Sequence, residues 1–338
     1  MGCALNVAIA REENDMRTIA AIAATTVTLI GSAAVAEDLK FANFMPPMHP
    51  YVPGAFQPFA DMVSEATGGD VTVTIYSGGE LGPGPGEQYA RVVDGVAELA
   101  VSLPGYTASQ FPLTLTAELP GVLDEATGTA DIWNNIDLFA DEYRRVQLVS
   151  LWSSAGNVLY MRDVAVDSPD DLKGMKIRVP SRNAGNVIEA WGATPVSMPV
   201  TEIYNAMQTG VIDGAYIDTT ATRAFRLGEV ANYLTYGMDT TNSPFFILMN
   251  RDPFGALSDD QQAAVIEAGK KASVMANETQ LAAAAGGLAA FAEAEGKQVI
   301  ELTAEQAEAF NALSAPVRDA AVAETGGNAA AIVDALSK

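Results

Sequence analysis

Residues 168–218 read SPDDLKGMKIRVPSRNAGNVIEAWGATPVSMPVTEIYNAMQTGVIDGAYID, and this stretch limits the fold more tightly than any other. Ser168, Pro169 and Asp171 supply an N-cap, a first-turn proline and an acid three residues after the cap, so a short helix opens there. Lys173-Gly174 ends it. A strand is expected over 175–179, with Arg178 in an otherwise largely apolar run and Pro180 closing it. A helix over 182–191 stops at Gly192, a strand follows over 194–198, Pro199 starts a second helix ending near Gly210, and 211–217 is a third strand. Strand, helix, strand, helix, strand at this spacing predicts a parallel α/β sheet. Ligands gather beyond the carboxyl ends of strands in such sheets, and Arg178 is expected at one of those ends.

Upstream, the pattern repeats in kind. Strands are expected over 38–44, 71–76 and 98–103, the second from the alternation of Val71, Val73 and Ile75 with Thr72, Thr74 and Tyr76. Helices fall between them, to about Ala66 and over 87–95, with a helical segment near 130–139 and a strand over 146–152. A first crossing to a second domain is placed just before a strand over 157–161. Residues 245–250 (FFILMN) return to the first domain. Ser258 and Gln261 form a capping box opening an alanine-rich helix to about Glu295, a length of roughly 50 Å and enough to lie across both domains. A strand over 298–302, a second capping box at Thr303 and Gln306, and two helices complete the chain. Domain I is therefore 37–155 plus about 244–283, and domain II is 156–243 plus about 284–338. Two α/β domains joined by repeated crossings form an architecture that closes around a ligand by hinge motion.

The first 36 residues read as a leader. Met16-Arg17 precedes an apolar, small-residue run over 19–33 that leads into Ala34-Val35-Ala36, an A-x-A cleavage pattern with Glu37 as the first mature residue. The run is too short and alanine-rich for a good membrane span. Residues 1–15 carry acids unlike a signal n-region, so Met16 is read as the start. The sole cysteine, Cys3, lies in this leader, and the mature chain has no thiol chemistry. Export to the periplasm is expected. The formal charge of −23 argues against nucleic acid and anionic lipid as partners. It does not argue against an anionic ligand, because one arginine in a cleft outweighs distant, screened surface charge.

The ordered set DLKGMKIRVP, GATPVSMP and TEIYNAMQTGVIDGAYID resembles the solute-binding proteins of TRAP transporters, the DctP family. The opening around MPPMHP and GGELG, and YTASQFPL at 106–113, resemble them too. The resemblance implies a periplasmic-binding-protein architecture with an interdomain ligand cleft, and a receptor that delivers an organic acid to membrane permease subunits. In that family the arginine of KIRVP pairs with the substrate carboxylate, a role that falls on Arg178 without a gap. Some relatives that bind sialic acid or dicarboxylates carry a second arginine where Val158 stands. The aromatic and asparagine of the sialic acid binders fall on Val200 and Ile217. These departures imply one charge clamp between more apolar walls, which suits a small or moderately apolar monocarboxylate better than a sugar acid or C4-dicarboxylate.

From pattern alone, Arg178 is either a strand-edge ion pair or a planar five-donor fork for a carboxylate. His49, the only histidine, lies in the loop after the first strand and is either structural or a hydrogen-bond partner for a substrate oxygen. Trp152, Tyr106 and Tyr216 are candidate pocket walls with packing as the alternative, and Asn157 is a candidate at the domain crossing. Trp191 reads as core. Glu202 reads as a first-turn acid and Asp213 as a turn residue. No GxSxG elbow, zinc spacing or phosphate loop is present, so no catalytic residue, metal or cofactor is assigned. An ABC-type receptor and a secreted two-domain enzyme are the alternatives to a TRAP receptor.

Overall fold

The computed structural model describes residues 36–337. Its strands in chain order are β1 (Glu37–Ala42), β2 (Val71–Tyr76), β3 (Leu99–Ser102), β4 (Val146–Trp152), β5 (Val158–Met161), β6 (Lys176–Val179), β7 (Thr194–Ser197), β8 (Gly214–Ile217), β9 (Tyr233–Tyr236), β10 (Phe245–Asn250) and β11 (Gln298–Glu301). They form two sheets, ordered β2-β1-β3-β10-β4 and β11-β9-β5-β8-β6-β7. β1 pairs in parallel with β2 and β3, and β6 in parallel with β7 and β8. β10 runs antiparallel between β3 and β4, because it returns from the second sheet. β5 enters the second sheet antiparallel to β8 and β9 for the same reason.

Side-chain alternation decides what each strand of the second sheet presents. Ile177 and Val179 enter one core with Leu159, Met161 and Tyr216. Val158, Tyr160, Ala215 and Ile217 enter a second core, shared with Phe41 and Val101 of the first sheet and with Phe56 of the helical segment Val52–Phe56. By the period of two, Arg178 points to that shared side. The helix Arg182–Ala190 is capped by the Ser181 hydroxyl accepting from the Ala184 N–H, and it buries Val187 and Ile188.

The two crossings between the sheets lie side by side. Asn157 N–H donates to the Thr241 carbonyl at 3.1 Å, and the Asn242 carboxamide both accepts from Ser154 N–H and donates to the Ser154 carbonyl. The helix Asp259–Glu293 then runs along both lobes. Near its start the Gly269 carbonyl accepts from the Ser150 hydroxyl, and a Cβ at Gly269 would collide with the Val149 carbonyl of β4. Further along, the Ala284 carbonyl accepts from Thr219, and a Cβ at Gly287 would collide with the Thr219 carbonyl just beyond β8. Glycine is required at both places for this approach. The helix Ala304–Thr325 packs on Arg182–Ala190, whereas Ile332 and Leu336 of Ala329–Leu336 bury into the core of the first sheet. Of the leader read over 1–36, residues 1–35 lie outside the described residues. No helix among the described residues is long and apolar enough to cross a membrane.

Candidate functional site

Arg178 organises a cavity of about 40 Å³ between the two lobes. That is the space of a few ordered waters. The arginine is 1% exposed, among the most deeply buried charges in the protein. Its Nε donates to the Met198 carbonyl at 3.0 Å, Nη2 to the Tyr106 hydroxyl at 3.1 Å, and Nη1 to the Tyr216 carbonyl at a long 3.5 Å. A guanidinium has five N–H groups, so these partners leave donors unused. Burial pulls its pKa below the ordinary value, while Tyr106, Asp218 and Glu118 act the other way. An arginine keeps its charge in proteins.

Tyr106 reaches Arg178 from the turn Pro104–Thr107, immediately after β3. Its hydroxyl also accepts from Val200 N–H at 3.2 Å, satisfying an orphan donor at the start of the helix Val200–Gln208. With both lone pairs engaged, the Tyr106 O–H proton is left as a donor. His49 is buried, and its Nδ1 accepts from Tyr51 N–H at 3.3 Å, which places the imidazole proton on Nε2. Burial lowers its pKa to about 4, so it is a neutral donor at physiological pH. Its ring packs against Tyr51 and Phe225, with centroids 5.0 and 5.9 Å away.

Arg178, His49, Tyr106, Asn157, Val200 and Ile217 all line this cavity. Trp152, Tyr216 and Val158, expected as candidates beside them, are not among its lining residues. Trp152 is fully buried behind the wall, stacked on Phe245 at 5.6 Å and donating its indole N–H to the Tyr51 hydroxyl at 3.0 Å. Tyr51 and Phe245, not Trp152, reach the cavity. Tyr216 belongs to the opposite face of β8 from Ile217, and its hydroxyl accepts from Thr241 N–H. Val158 shares the correct face, but β8 lies between β5 and β6, so Ile217 separates it from Arg178. Val158 lines instead a separate hollow beside Gly156 and Leu288.

Several lining residues carry little sequence signal. Phe44, Tyr51, Phe225 and Phe245 supply aromatic wall, and Gln280 arrives from the long helix. Asp218 follows β8 directly, and its Oδ1 accepts from Thr220 N–H at 2.9 Å. Burial raises the Asp218 pKa, opposed by hydrogen bonds from Thr220 and Gln280. Behind the wall, Glu118 is 1% exposed and accepts from the Ser243 hydroxyl at 3.2 Å. Burial pushes its pKa up to about 7 against the pull of Ser181, Ser243 and Arg178. Among the described residues no cluster of three or more His, Cys, Asp or Glu could hold a metal ion. The site can therefore orient an anion between fixed donors and apolar walls.

A family model for the bacterial extracellular solute-binding proteins, family 7 (DctP), matches residues 41–325. Protein YiiZ of Salmonella typhimurium is 31% identical over 218 residues, covering 63% of this chain and 66% of that protein. The chain thus spans just under two thirds of the length of that curated relative. A TRAP solute-binding protein of Rhodoferax ferrireducens T118, in complex with copurified benzoate, is similar with a TM-score of 0.83 at 26% identity, covering 89% of this chain and 96% of that one. A marine metagenome TRAP solute-binding protein specific for aromatic acid ligands, in complex with metahydroxyphenylacetate, gives a TM-score of 0.81 at 26% identity, covering 89% and 97%.

Proposed function

Because the chain belongs to the bacterial extracellular solute-binding proteins of family 7, the DctP receptors of TRAP transporters, we propose that its cavity captures a compact organic monocarboxylate through Arg178. The observation that carries this reading is the guanidinium itself: nearly inaccessible, hydrogen-bonded to neutral groups, and with donors to spare beside a cavity walled largely by aromatic and aliphatic side chains. A buried arginine without a carboxylate partner is costly, and a ligand carboxylate supplies that partner. Neutral His49 and the spare Tyr106 proton add donors without adding charge. Both similar structures named above hold aromatic acids with a single carboxylate, which agrees with aromatic walls and one cation.

Capture proceeds by closure. The paired crossings at 154–157 and 241–243 act as the hinge, and Tyr106 meets Arg178 only when the lobes come together. The moving bodies are 37–155 with about 244–283, and 156–243 with about 284–325, the last helix staying with the first body. With about 40 Å³ enclosed, the lobes part slightly to admit anything larger than a few atoms. The loaded receptor, exported to the periplasm with cleavage after Ala36, hands its ligand to membrane permease subunits. It carries out no reaction itself. A thermal-shift screen over aliphatic and aromatic acids tests the reading, since a ligand at 100 times its dissociation constant adds about 2.7 kcal/mol of apparent stability. Turnover of any acid, or stabilisation only by uncharged compounds, would overturn it.

A further inference from the structure

The cavity contains a second titratable side chain that a simple carboxylate does not use. Asp218 is 9% exposed and lines the same space as Arg178. The Thr220 N–H fills one acceptor position, and Gln280 approaches the carboxyl from the long helix. Gln280 is itself fixed, because its Oε1 accepts from the Tyr51 hydroxyl. The Thr220 hydroxyl also lies beside this carboxyl, is buried, and makes no hydrogen bond of regular geometry. The Asp218 and Thr220 N–H groups and the Thr220 and Gln280 side chains are the carboxyl's protein partners, and Asp218, Thr220 and Gln280 all line the cavity.

Strand geometry gives the spacing. Ala215 is the register partner of Arg178, and Asp218 lies three residues further along the same chain. At about 3.3 Å per residue, Asp218 is displaced by roughly 10 Å along the sheet from the arginine's neighbour. Between them stand Ile217 and the aromatic wall. A ligand held by its carboxylate at Arg178 thus extends an apolar body toward Asp218. If that body ended in a methyl group, it would bury a carboxylate against hydrocarbon and add a second anion to the same dry space. A ligand ending in a hydrogen-bond donor would satisfy both the acid and the threonine hydroxyl.

We propose that Asp218, with Thr220 and Gln280, selects acids that carry a hydrogen-bond donor, a hydroxyl or an ammonium, a few bonds from the carboxylate. This rests on the Arg178 reading and specifies the other end of the ligand. The test is a calorimetric comparison of propionate, 3-hydroxypropionate and 3-aminopropionate, and of benzoate with 3-hydroxybenzoate, on the wild type and on Asp218→Asn. The amino and hydroxy members separate a cationic from a neutral donor. In the wild type at least one donor-bearing acid binds about tenfold or more tightly than its parent, as expected for a charge-assisted hydrogen bond. In Asp218→Asn that ratio falls to about twofold or less. Equal binding of parent and donor-bearing acids by the wild type overturns the proposal and leaves the Arg178 reading intact. The same holds for a ratio that survives in a folded Asp218→Asn. Should that variant not fold, the wild-type ratio alone decides. Failure of every one of these acids to bind overturns both readings.

Discussion

The Tyr106 hydroxyl of the first lobe accepts a hydrogen bond from the Arg178 guanidinium of the second at 3.1 Å. The same oxygen accepts from Val200 N–H, so one phenol of the first lobe holds both the Arg178 guanidinium and the start of a helix in the second. Tyr106→Phe removes both bonds and destabilises the closed arrangement. Hydrogen bonds to charged groups contribute about 1.5–3 kcal/mol. Apparent affinity falls with the population of the competent state, so a loss of about tenfold or more is expected. Small-angle scattering should show a more open ligand-free form. Unchanged affinity in a folded Tyr106→Phe would show that the link does not support closure.

Arg178→Ala should weaken binding of the best acid by roughly 30-fold to several thousand-fold, the range for removing one partner of a buried charge pair, about 2–5 kcal/mol. Arg178→Lys should restore little, because a point ammonium does not reproduce the planar fork. Calorimetric titration with circular dichroism as a fold control measures both. Binding within about threefold of the wild type by a folded Arg178→Ala would remove the centre of the proposed function.

Selectivity should follow charge number. Arg178 is the one cationic side chain among the described lining residues, so monocarboxylates should bind more tightly than C4-dicarboxylates of similar size. A second carboxylate in these walls would lose its water without gaining a cation, at a cost of several kcal/mol. Competition between succinate and butyrate for the same site measures this, and a preference for succinate over every monocarboxylate would refute it.

Glu118 makes stability depend on pH. Its carboxyl ordinarily ionises near 4.5 and is pushed to about 7 in the fold, chiefly by burial. The folded state therefore holds this proton to higher pH than the unfolded chain does. The associated stability is fully present below about 4.5 and is lost as pH rises through about 7. Integrated over that window the effect is about 3 kcal/mol. Ser181, Ser243 and Arg178 are the groups acting on it, and none titrates in this range. Glu118→Gln should gain stability over the wild type between pH 5 and pH 8. Urea denaturation at the two pH values checks this, and an equal difference at both would contradict the assignment.

Much of this architecture can be read before folding. The alternation over 71–76 marks β2, and capping boxes announce Ser168, Ser258 and Thr303 as helix starts. These signals are local, which is why they survive in the sequence. β9 was not anticipated, because four residues, YLTY, offer too short a period, and its partners β5 and β11 lie far away in the chain. Neighbours on a strand face opposite ways, so the sequence says that Tyr216 and Ile217 point apart, but only the tertiary structure says which of them lines the cavity. Likewise, nothing local says that Tyr51 and Phe245 would cover Trp152. Asp218 follows β8 directly but belongs to no motif that singles it out, and Gln280 is hidden among the alanines of a long helix. Both gain meaning only from what tertiary packing sets beside them.

Gly269 and Gly287 of the long helix have a consequence for what the sequence can tolerate over time. From 269 to 287 is eighteen residues, and at 3.6 residues per turn that is five whole turns. Both glycines therefore lie on one line of the helix, about 27 Å apart, one seated on β4 and the other beside the end of β8. Inserting or deleting one residue between them would swing the second contact by about 100° and set a side chain against the Thr219 carbonyl. Point substitutions on the exposed side of this segment should be well tolerated. Changes in its length should be nearly forbidden, except in steps that restore the phase.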